Sequence, residues 1–415
     1  MYYPVIDKQT LYENLHIYLF LTVLIIFVGI FVYIKLKFPF WNVQPVFHTY
    51  DFMRTMMYRE PFFIYKRPMT TKFCDFKQIS TMSFVDCSDE QKKGYVNLLQ
   101  CFFIPSENAN FMFHLENLET YMGSHLSTSY ISLYEIAEYI STENSNTYKK
   151  KYLGGISSRS GKLSIGPFET PIYFIDFVSI HRELGISSIN YSRKLLQTHI
   201  YRQQKETPEI MASIFKKEGE PYTGIVPFVT SSSAIFGTPS FFPKEVLKLP
   251  EHFIFINFHK GNIDILFDFL DAVSSRYTTF CMTDRTNLAR MIEDNVLFCY
   301  GIKKLDEIYA VYFFRDMRTQ YEEVGLSGCL LQLAGSIHNT TSEELFYKGF
   351  QKSLKTIMQK MPLFTLLMIE DIGSNRILYD KIGGLPMLST KSTYYLYNIV
   401  VPCSPVLGSQ CFVLF

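Results

Sequence analysis

The chain has 415 residues, a formal net charge of +1, and 47% hydrophobic and 16% aromatic residues. This length and apolar content suffice for two or three domains with a substantial core, and the balanced charge disfavours nucleic-acid binding. The eight cysteines form no C-x-x-C pair, which argues against a zinc site or a disulfide framework and fits a reducing compartment.

The first predicted element is a transmembrane helix. Residues 14–34, NLHIYLFLTVLIIFVGIFVYI, contain no Asp, Glu, Lys or Arg. As a helix this stretch spans about 32 Å, which is enough to cross the hydrocarbon core of a bilayer. Acidic residues precede it and no A-x-A pattern follows it, so a signal peptide is disfavoured. We predict a short tail at 1–14 and a membrane-spanning helix at 15–35.

The charges that flank this helix predict its orientation. Lys8 is the single basic residue before it, whereas Lys35, Lys37, Arg54 and several further basic residues follow it. Because cytosolic flanks of membrane helices carry an excess of Lys and Arg, the large C-terminal part is expected on the cytosolic side. We therefore expect a single-pass membrane protein whose soluble body faces the cytosol, the lipid bilayer being one of its partners.

Strand and helix patterns alternate after residue 90, which indicates an α/β or α+β fold class. The first unit is predicted to contain two strands around a Ser/Gly turn at 151–166, a buried strand at 171–180, a loop at 181–188 and a helix at 189–203. The second is predicted to contain helices at 264–276, 284–294 and 343–361, strands at 296–302, 307–316 and 363–371, and two buried strands in YYLYNIVV (394–401) and QCFVLF (410–415). The order of elements in the second unit echoes that in the first.

The stretch most indicative of chemistry is FIDFVSIHRELGISSINYSRKLL, residues 174–196. It reads as a buried strand, a short loop and a helix. Gly185 permits close approach of another group to the backbone, and Ser187 and Ser188 are candidates for the N-cap. The N–H groups at the start of the helix would face an anion, although an ordinary capped helix has the same pattern. The chain contains no P-loop lysine and no G-x-G-x-x-G after this strand, so a binding site for a nucleoside triphosphate or a dinucleotide is disfavoured.

This arrangement is similar to the acyl-CoA site of the GNAT acyltransferase superfamily. In that superfamily the pyrophosphate lies on such a loop and the thioester lies along the preceding strand. A bulge in the strand frees two backbone N–H groups, which serve as an oxyanion hole.

More specifically, the chain resembles the eukaryotic N-myristoyltransferases, which are double GNAT folds. Four stretches carry the resemblance in the family's order: FPFWNVQPV (38–46), IDFVSIHRELGISSINY (175–191), EPYTGIV (220–226) and STYYLYN (392–398) with the apolar end of the chain. Weaker matches are ENANFMFHL (107–115) and IEDIGSNRILYDKIGGLP (369–386). The resemblance implies a tandem GNAT-like fold with pseudo-twofold halves, an acyl-CoA-binding half at 36–240 and a peptide-side half at 241–415.

The resemblance also implies which residues form the site. Contacts with acyl-CoA are expected from Phe40, Trp41, Phe177, Val178, Ser179, Ile180, Gly185, Ser187, Ser188, Ile189 and Asn190. The N–H groups of Phe177 and Val178 would form the oxyanion hole. Contacts with the acceptor are expected from Phe113, Asp176, Tyr222 and Thr223, with Thr223 near the reacting amine.

The implied reaction transfers a long-chain acyl group, myristoyl by preference, from acyl-CoA to the N-terminal glycine of a protein or peptide. In the family the terminal carboxylate of the chain is the general base, which here assigns that role to Phe415. A free α-carboxylate has a pKa near 3.5 and is a poor base, but burial raises such a pKa. Acyl-CoA is then a co-substrate, and neither a metal nor a permanently bound cofactor is required.

The sequence departs from the family in several places. The loop GISSIN (185–190) lacks the family's basic residues, SSSAIFGTPSF (231–241) replaces an aromatic, His-rich stretch, and Asp176 stands where the family has Asn. Soluble members lack the predicted membrane helix, and a tethered version suits a large DNA virus or an unusual protist. Two alternatives stay open: an inactive acyltransferase-like membrane protein that binds lipid-CoA or a partner, and a GNAT enzyme with another acyl donor or a lysine acceptor.

Overall fold

The computed structural model describes residues 14–104, 106, 108–142, 145–241, 248–323, 326–340, 342–382, 384–402 and 405–414. The chain divides into two compact units, a small N-terminal one that ends at Gln44 and a large one that begins at Pro45.

The N-terminal unit contains helix α1, Leu15–Lys37, whose side chains are nearly all exposed. Among the described residues it is the one helix long and apolar enough to cross a membrane. Its last turn carries Lys35 and Lys37, which complement the negative C-terminal end of the helix dipole. A short 3₁₀ helix, Trp41–Val43, follows. The predicted helix is thus confirmed as a helix.

The large unit mixes helices and strands. Its helices are α2 Phe52–Met57, α3 Asp89–Phe102, α4 Leu115–Met122, α5 Ser188–Glu206, α6 Ile263–Ser274, α7 Arg285–Glu293, α8 Glu343–Lys360 and α9 Asn375–Lys381. Its strands are β1 Phe62–Phe63, β2 Ile79–Ser83, β3 Ala109–Phe111, β4 Tyr130–Thr142, β5 Ser145–Ile165, β6 Phe168–Ile180, β7 Ala212–Glu218, β8 Val229–Gly237, β9 Ile254–Asn257, β10 Thr279–Thr283, β11 Leu297–Lys304, β12 Glu307–Glu323, β13 Leu326–His338, β14 Phe364–Glu370, β15 Leu388–Tyr397, β16 Ile399–Val400 and β17 Cys411–Leu414.

The helix starts follow from local sequence. Before α3, the Ser88 hydroxyl accepts from the Gln91 N–H at 3.3 Å, and the Gln91 side chain accepts from the Ser88 N–H at 3.0 Å. This reciprocal capping box satisfies two of the unpaired donors at a helix start. Before α8, the Ser342 hydroxyl accepts from the Leu345 N–H at 3.2 Å. The buried face of α8 then recurs at helical spacing, as its amphipathic sequence predicts.

In the part of the chain that the structure describes, fifteen strands form one large sheet, and its main path runs β17-β10-β5-β6-β7-β15-β8-β14-β13-β12-β11-β9. Off this path, β4 pairs with β5 and β2, and β3 pairs with β12. Helices α3, α4, α6 and α7 bury an apolar cluster that includes Leu99, Leu118, Leu266 and Leu288, and α8 buries a second that includes Phe346 and Phe350.

The same pairing pattern occurs twice along the sheet. In the first half, β4, β5 and β6 are antiparallel neighbours, and α5 leads to β7, which is parallel to β6. In the second half, β11, β12 and β13 are antiparallel neighbours, and α8 leads to β14, which is parallel to β13. The halves exchange strands, because β8 pairs with β14 and β15 pairs with β7. The predicted mixed α/β class with two similar halves is confirmed.

Two local predictions are wrong. Residues 151–165 belong to the single strand β5 rather than to two strands around a turn, and Gly166 follows that strand. The glycines there serve packing: a Cβ on Gly161 would lie 2.3 Å from a ring carbon of Phe174, and one on Gly155 would lie 2.5 Å from the ring of Tyr95. The predicted loop at 181–188 contains a 3₁₀ helix, Arg182–Ser187.

The C-terminal strands are buried, as predicted, but YYLYNIVV is interrupted. Asn398 adopts φ 63° between β15 and β16, and its side chain exchanges two hydrogen bonds with the backbone of Tyr65, at 2.8 and 2.9 Å. Asn tolerates this left-handed conformation better than most residues. The last described strand, β17, is buried throughout.

Candidate active site

A cavity of about 500 Å³ lies in the large unit. Side chains from distant parts of the chain line it. The aromatic wall consists of Phe103, Phe111, Phe113, Tyr121 and Phe177. The charged wall consists of Lys216, Glu218, Arg315, Asp316, Arg318 and Glu370. Further lining residues include Arg159, Asp176, Val178, Gln332, Tyr394 and Val413.

Strand β6 bulges where it borders the cavity. It places Phe177 and Val178 opposite the single residue Ile156 of β5, and its pairing with β7 ends at Ile175. Phe177 has φ 50°, a value in the left-handed region that costs free energy for a residue other than Gly. Among the described residues, neither Phe177 nor Val178 is therefore paired in register with a residue of β5 or β7. A bulge of this kind exposes the backbone N–H groups that an oxyanion hole needs.

Buried hydroxyl groups hold the carbonyl side of this bulge. The Tyr95 hydroxyl donates to the carbonyl oxygen of Phe177 at 2.8 Å, and the Ser157 hydroxyl donates to that of Asp176 at 3.3 Å. Tyr95 is fully buried and lies over Gly155, where any larger residue would collide with its ring. Because both carbonyls are occupied from within the protein, the bulge is held in one conformation.

The Phe177 side chain anchors the aromatic wall. Its ring centroid lies 5.0 Å from that of Phe113, 5.4 Å from Tyr121 and 5.6 Å from Phe103. Contacts at these separations are favourable beyond the burial of area alone. The structure thus brings the predicted site residue Phe113 into direct contact with the bulge, and the wall gives the bulge an apolar surrounding.

Beyond the bulge, β6 leads into the loop before α5. Ser179 is buried and donates to the carbonyl oxygen of Leu98 at 3.0 Å, and Ile180 ends the strand. Gly185 adopts φ 50° and ψ −131°, with open space where a Cβ would be. Ser187 occupies the N-cap position of α5 but forms no side-chain cap hydrogen bond.

The predicted loop residues next to the start of α5 lie close together at the surface. Gly185, Ser187, Ile189 and Asn190 are exposed, and Ser188 is partly exposed. The N-terminal end of this 19-residue helix therefore borders solvent.

A buried ion pair lies beside the bulge. The Arg159 Nε atom is 2.7 Å from an Asp176 carboxylate oxygen, and the Arg159 side chain is 1% exposed. The guanidinium lies 5.5 Å from the ring centroids of both Tyr121 and Phe174, a favourable cation–π distance. Asp176, predicted to contact the acceptor, thus already has a cationic partner within the protein.

The charged wall contains a second buried network. Glu370 lies 3.0 Å from the Lys216 ammonium, and the Tyr394 hydroxyl donates to it at 3.0 Å. The Ser231 hydroxyl also donates to this carboxylate. Burial alone would lower the pKa of Lys216, but Glu370 and Glu218 together raise it, so Lys216 stays protonated.

The charged wall also contains a second bulge, in β12. The register between β12 and β13 shifts between Asp316 and Gln320, and Arg318 adopts φ 50°. An Asp316 carboxylate oxygen accepts from the Arg318 N–H at 2.8 Å, and its other oxygen lies 3.1 Å from the Arg318 Nε. Burial raises the pKa of Asp316.

Sequence reasoning missed the charged wall. Its residues come from β7, β12 and β14, and each lies at or near the end of an apolar strand run. Charged residues directly after such runs, as in FFRDMR (313–318) and LLMIED (366–371), were the available signal. That these strands meet at one cavity depends on strand exchange between the halves, which the local pattern does not reveal.

The C-terminal strand reaches the same cavity. β17 is parallel to β10, with Leu414 in register with Met282, and Val413 lines the cavity. Leu414 is 1% exposed. Phe415, the predicted base, lies outside the described residues.

Other predicted site residues lie elsewhere. Tyr222 and Thr223 are exposed in the connection between β7 and β8, and neither is among the lining residues of the cavity. The Tyr222 N–H donates to the Tyr395 hydroxyl at 2.7 Å. Phe40 and Trp41 belong to the N-terminal unit, where their ring centroids are 4.9 Å apart.

Comparison with known proteins gives matches by structure but none by sequence. No protein-family model matches the chain, and no curated protein matches it by sequence. Solved structures do match. A crystal structure of Saccharomyces cerevisiae N-myristoyltransferase with bound myristoyl-CoA aligns with a TM-score of 0.63 at 14% identity, over 89% of this chain and 94% of the yeast chain.

A second structure of the yeast enzyme, with bound myristoyl-CoA and inhibitors, aligns with a TM-score of 0.66 at 15% identity, over 90% of this chain and 93% of that one. At this identity the likeness concerns the fold, and it extends over nearly the whole of both chains. This protein has the fold of the N-myristoyltransferases.

Proposed function

We propose that the protein is a membrane-anchored N-acyltransferase that moves a long-chain acyl group, preferably myristoyl, from acyl-CoA to the N-terminal glycine of protein substrates. The observation that carries the proposal is the β6 bulge at Phe177 and Val178, which borders a cavity. The solved structures that share the fold of this protein contain bound myristoyl-CoA. Backbone donors beside an apolar cavity suit the stabilisation of a carbonyl oxygen that becomes negative during acyl transfer.

For the acyl donor, we propose that the thioester lies along β6 and that the CoA phosphates lie at the start of α5. Gly185, Ser187, Ser188, Ile189 and Asn190 would supply backbone N–H and hydroxyl groups there, aided by the positive end of the helix dipole. The exposure of this loop and the absence of a side-chain cap at Ser187 support this role. Ser179 and Ile180 would flank the pantetheine arm.

For the chemistry, we propose that the carboxylate of Phe415 removes a proton from the glycine ammonium. The freed amine attacks the thioester carbonyl carbon, and the negative charge on its oxygen is stabilised by the N–H groups of Phe177 and Val178. The intermediate collapses with cleavage of the C–S bond, and the departing thiolate takes the remaining extra proton from the attacking nitrogen. The amide forms, and CoA leaves as the thiol. The burial of Leu414 and the position of Val413 at the cavity support this assignment of the base. Tyr222 and Thr223 would contact the acceptor farther from the reacting amine.

For the membrane, we propose that α1 is a transmembrane anchor and that the large unit faces the cytosol. The length and apolar composition of α1 support the transmembrane anchor, and the two lysines in its last turn support the cytosolic orientation of the large unit. In membranes of cells that make the full chain, the helix should resist extraction by alkaline carbonate. Protease added to sealed cells should leave the large unit intact. Release by carbonate, or cleavage of the large unit from outside, would refute the anchored topology.

The test of the activity uses the full chain in lipid nanodiscs with myristoyl-CoA and a peptide that begins with glycine. We expect CoA release together with a peptide mass gain of one myristoyl group. The matched controls are the same peptide with its glycine acetylated and the same peptide beginning with alanine, neither of which should be acylated. Binding of acyl-CoA without transfer to any glycine peptide would refute the proposed activity and favour a binding role.

The role of the terminal carboxylate has a separate test. One glycine added after Phe415 should abolish turnover, because the carboxylate is displaced by the length of a residue, while acyl-CoA binding persists. Unchanged turnover in the extended chain would remove Phe415 from the mechanism.

A further inference from the structure

One cation of the charged wall, Arg315, forms no close ion pair with any described residue, although Asp176 attracts it from a longer distance. The other cavity cations are paired with carboxylates: Arg159 with Asp176, Lys216 with Glu370, and Arg318 with Asp316. Within the part of the chain that the structure describes, no carboxylate oxygen lies within 4.0 Å of the Arg315 guanidinium, and its Nε atom has no hydrogen-bond acceptor. A partly buried cation with no close counterion is costly, so the position of Arg315 at a cavity points to an anionic ligand group that pairs with it.

The strand neighbour of Arg315 is also unsatisfied. Gln332 lies directly opposite Arg315 in the β12–β13 register, is 8% exposed and lines the cavity. Its Oε1 atom has no hydrogen-bond donor among the described residues. A guanidinium that needs an acceptor and an amide oxygen that needs a donor therefore stand side by side on one wall.

These two groups lie near the expected reaction centre. The Arg315 guanidinium is 5.9 Å from the ring centroid of Tyr121, and that ring lies 5.4 Å from the ring of Phe177 at the bulge. A group bound at Arg315 is thus separated from the bulge by one aromatic ring. The start of α5, where the CoA phosphates are proposed to lie, is formed by a different part of the chain and does not line the cavity.

We propose that Arg315 and Gln332 form a subsite that selects acceptors with an acidic residue shortly after the N-terminal glycine. This rests on the proposed function and narrows its substrate class. The Arg315 fork binds the carboxylate of the acidic side chain, and the Gln332 Oε1 atom accepts a backbone N–H of the same peptide. A peptide with a neutral or basic residue at that position leaves Arg315 unpaired, and this penalty provides the selectivity.

The test measures kcat/KM of the full chain in nanodiscs for peptides that begin with glycine. In one series an Asp occupies the second, third or fourth position, and in the matched series Asn replaces it. At one of these positions we expect the Asp peptide to be preferred by about tenfold to a hundredfold, the range for a hydrogen-bonded charge. Free glycine, whose α-carboxylate is the competing source of an anion, should be a poor acceptor.

Variants of Arg315 test whether this residue causes the preference for Asp peptides over Asn peptides. Arg315→Gln should remove the preference, so that kcat/KM becomes equal for the Asp and Asn peptides, and Arg315→Lys should keep part of the preference. Arg376→Gln, in which an exposed arginine of α9 is changed in the same way, should leave the preference unchanged. Thermal unfolding of each variant checks that it is folded.

Specific outcomes overturn the inference. Equal use of Asp and Asn peptides at all three positions refutes it, as does a uniform loss for all peptides in Arg315→Gln. If no glycine peptide is acylated, the proposed activity fails, and the subsite is then judged by equilibrium binding of the same peptides to the acyl-CoA-loaded protein. Tighter binding of an Asp peptide by tenfold or more would support the subsite, and equal binding would refute it.

Discussion

Two strands that line the cavity each contain a bulge, and the two bulges have different surroundings. β6 bulges at Phe177 and β12 bulges near Arg318, and both residues adopt φ 50°. The β6 bulge is held by the Tyr95 hydroxyl and by aromatic rings, whereas the β12 bulge is held by the carboxylate of Asp316. The first leaves neutral N–H donors beside apolar side chains, and the second leaves a charged surface. This difference suits an acyl carbonyl on one wall and a polar acceptor on the other.

The largest expected effect concerns the ion pair Arg159–Asp176, which joins the neighbouring strands β5 and β6 beside the bulge. Arg159→Met leaves the carboxylate of Asp176, whose side chain is 14% exposed, without its cation and should lower the free energy of unfolding by about 3 kcal/mol, the lower end of the range for buried pairs. Chemical denaturation of the large unit measures this. The double variant Arg159→Met/Asp176→Asn should recover most of the loss, because no uncompensated charge remains. A small loss in Arg159→Met would mean that the pair contributes little to stability.

The next effect isolates the donors of the β6 bulge. Val178→Pro removes one backbone N–H and should lower kcat by about a hundredfold to a thousandfold, as for other oxyanion-hole donors. Acyl-CoA binding, measured by calorimetry, should change much less. The control is Val178→Ala, which keeps the N–H and alters a side chain that is 40% exposed. A rate loss in the alanine variant equal to that in the proline variant would contradict the assignment.

A smaller effect concerns the acid stability of the packing between α5 and β4. His199 of α5 is fully buried, contacts the Ser132 hydroxyl at 2.8 Å, and burial lowers its pKa to about 3. The unfolded chain binds this proton near pH 6.5, whereas the folded chain does not until about pH 3. Stability from this group is therefore complete above pH 6.5 and falls as the pH decreases, by up to about 1.4 kcal/mol per pH unit.

His199→Gln removes this titration. Denaturation at pH 7 and pH 5 should show a smaller difference in the free energy of unfolding for the variant than for the wild type. If both proteins lose the same stability over this interval, His199 is not the residue responsible.

The smallest effect tests what holds the β6 bulge. Tyr95→Phe removes the hydrogen bond to the Phe177 carbonyl and should lower the free energy of unfolding by about 1 kcal/mol. The looser bulge should also lower kcat. Tyr134→Phe removes a comparable hydroxyl, bonded to Gln78 outside the cavity, and should affect stability without affecting kcat. Equal kcat in Tyr95→Phe and the wild type would show that the bulge does not need this support.

The sequence predicted the elements whose patterns are local. The strand at β6, the helices α5 and α8 and the buried C-terminal strands all follow from apolar periodicity, and the family resemblance identified the fold. The strand β5 was misread because its glycines resemble turn signals, although they accommodate the rings of Tyr95 and Phe174. Lys216, Arg315 and Glu370 converge only through strand exchange between the halves, which no local pattern encodes.

The most direct test of the central claim is a structure of the full chain with a thioether analogue of myristoyl-CoA that retains the carbonyl but cannot transfer its acyl group. The account predicts the carbonyl oxygen within about 3 Å of the backbone nitrogens of Phe177 and Val178. An analogue bound with its carbonyl away from the β6 bulge would contradict the account.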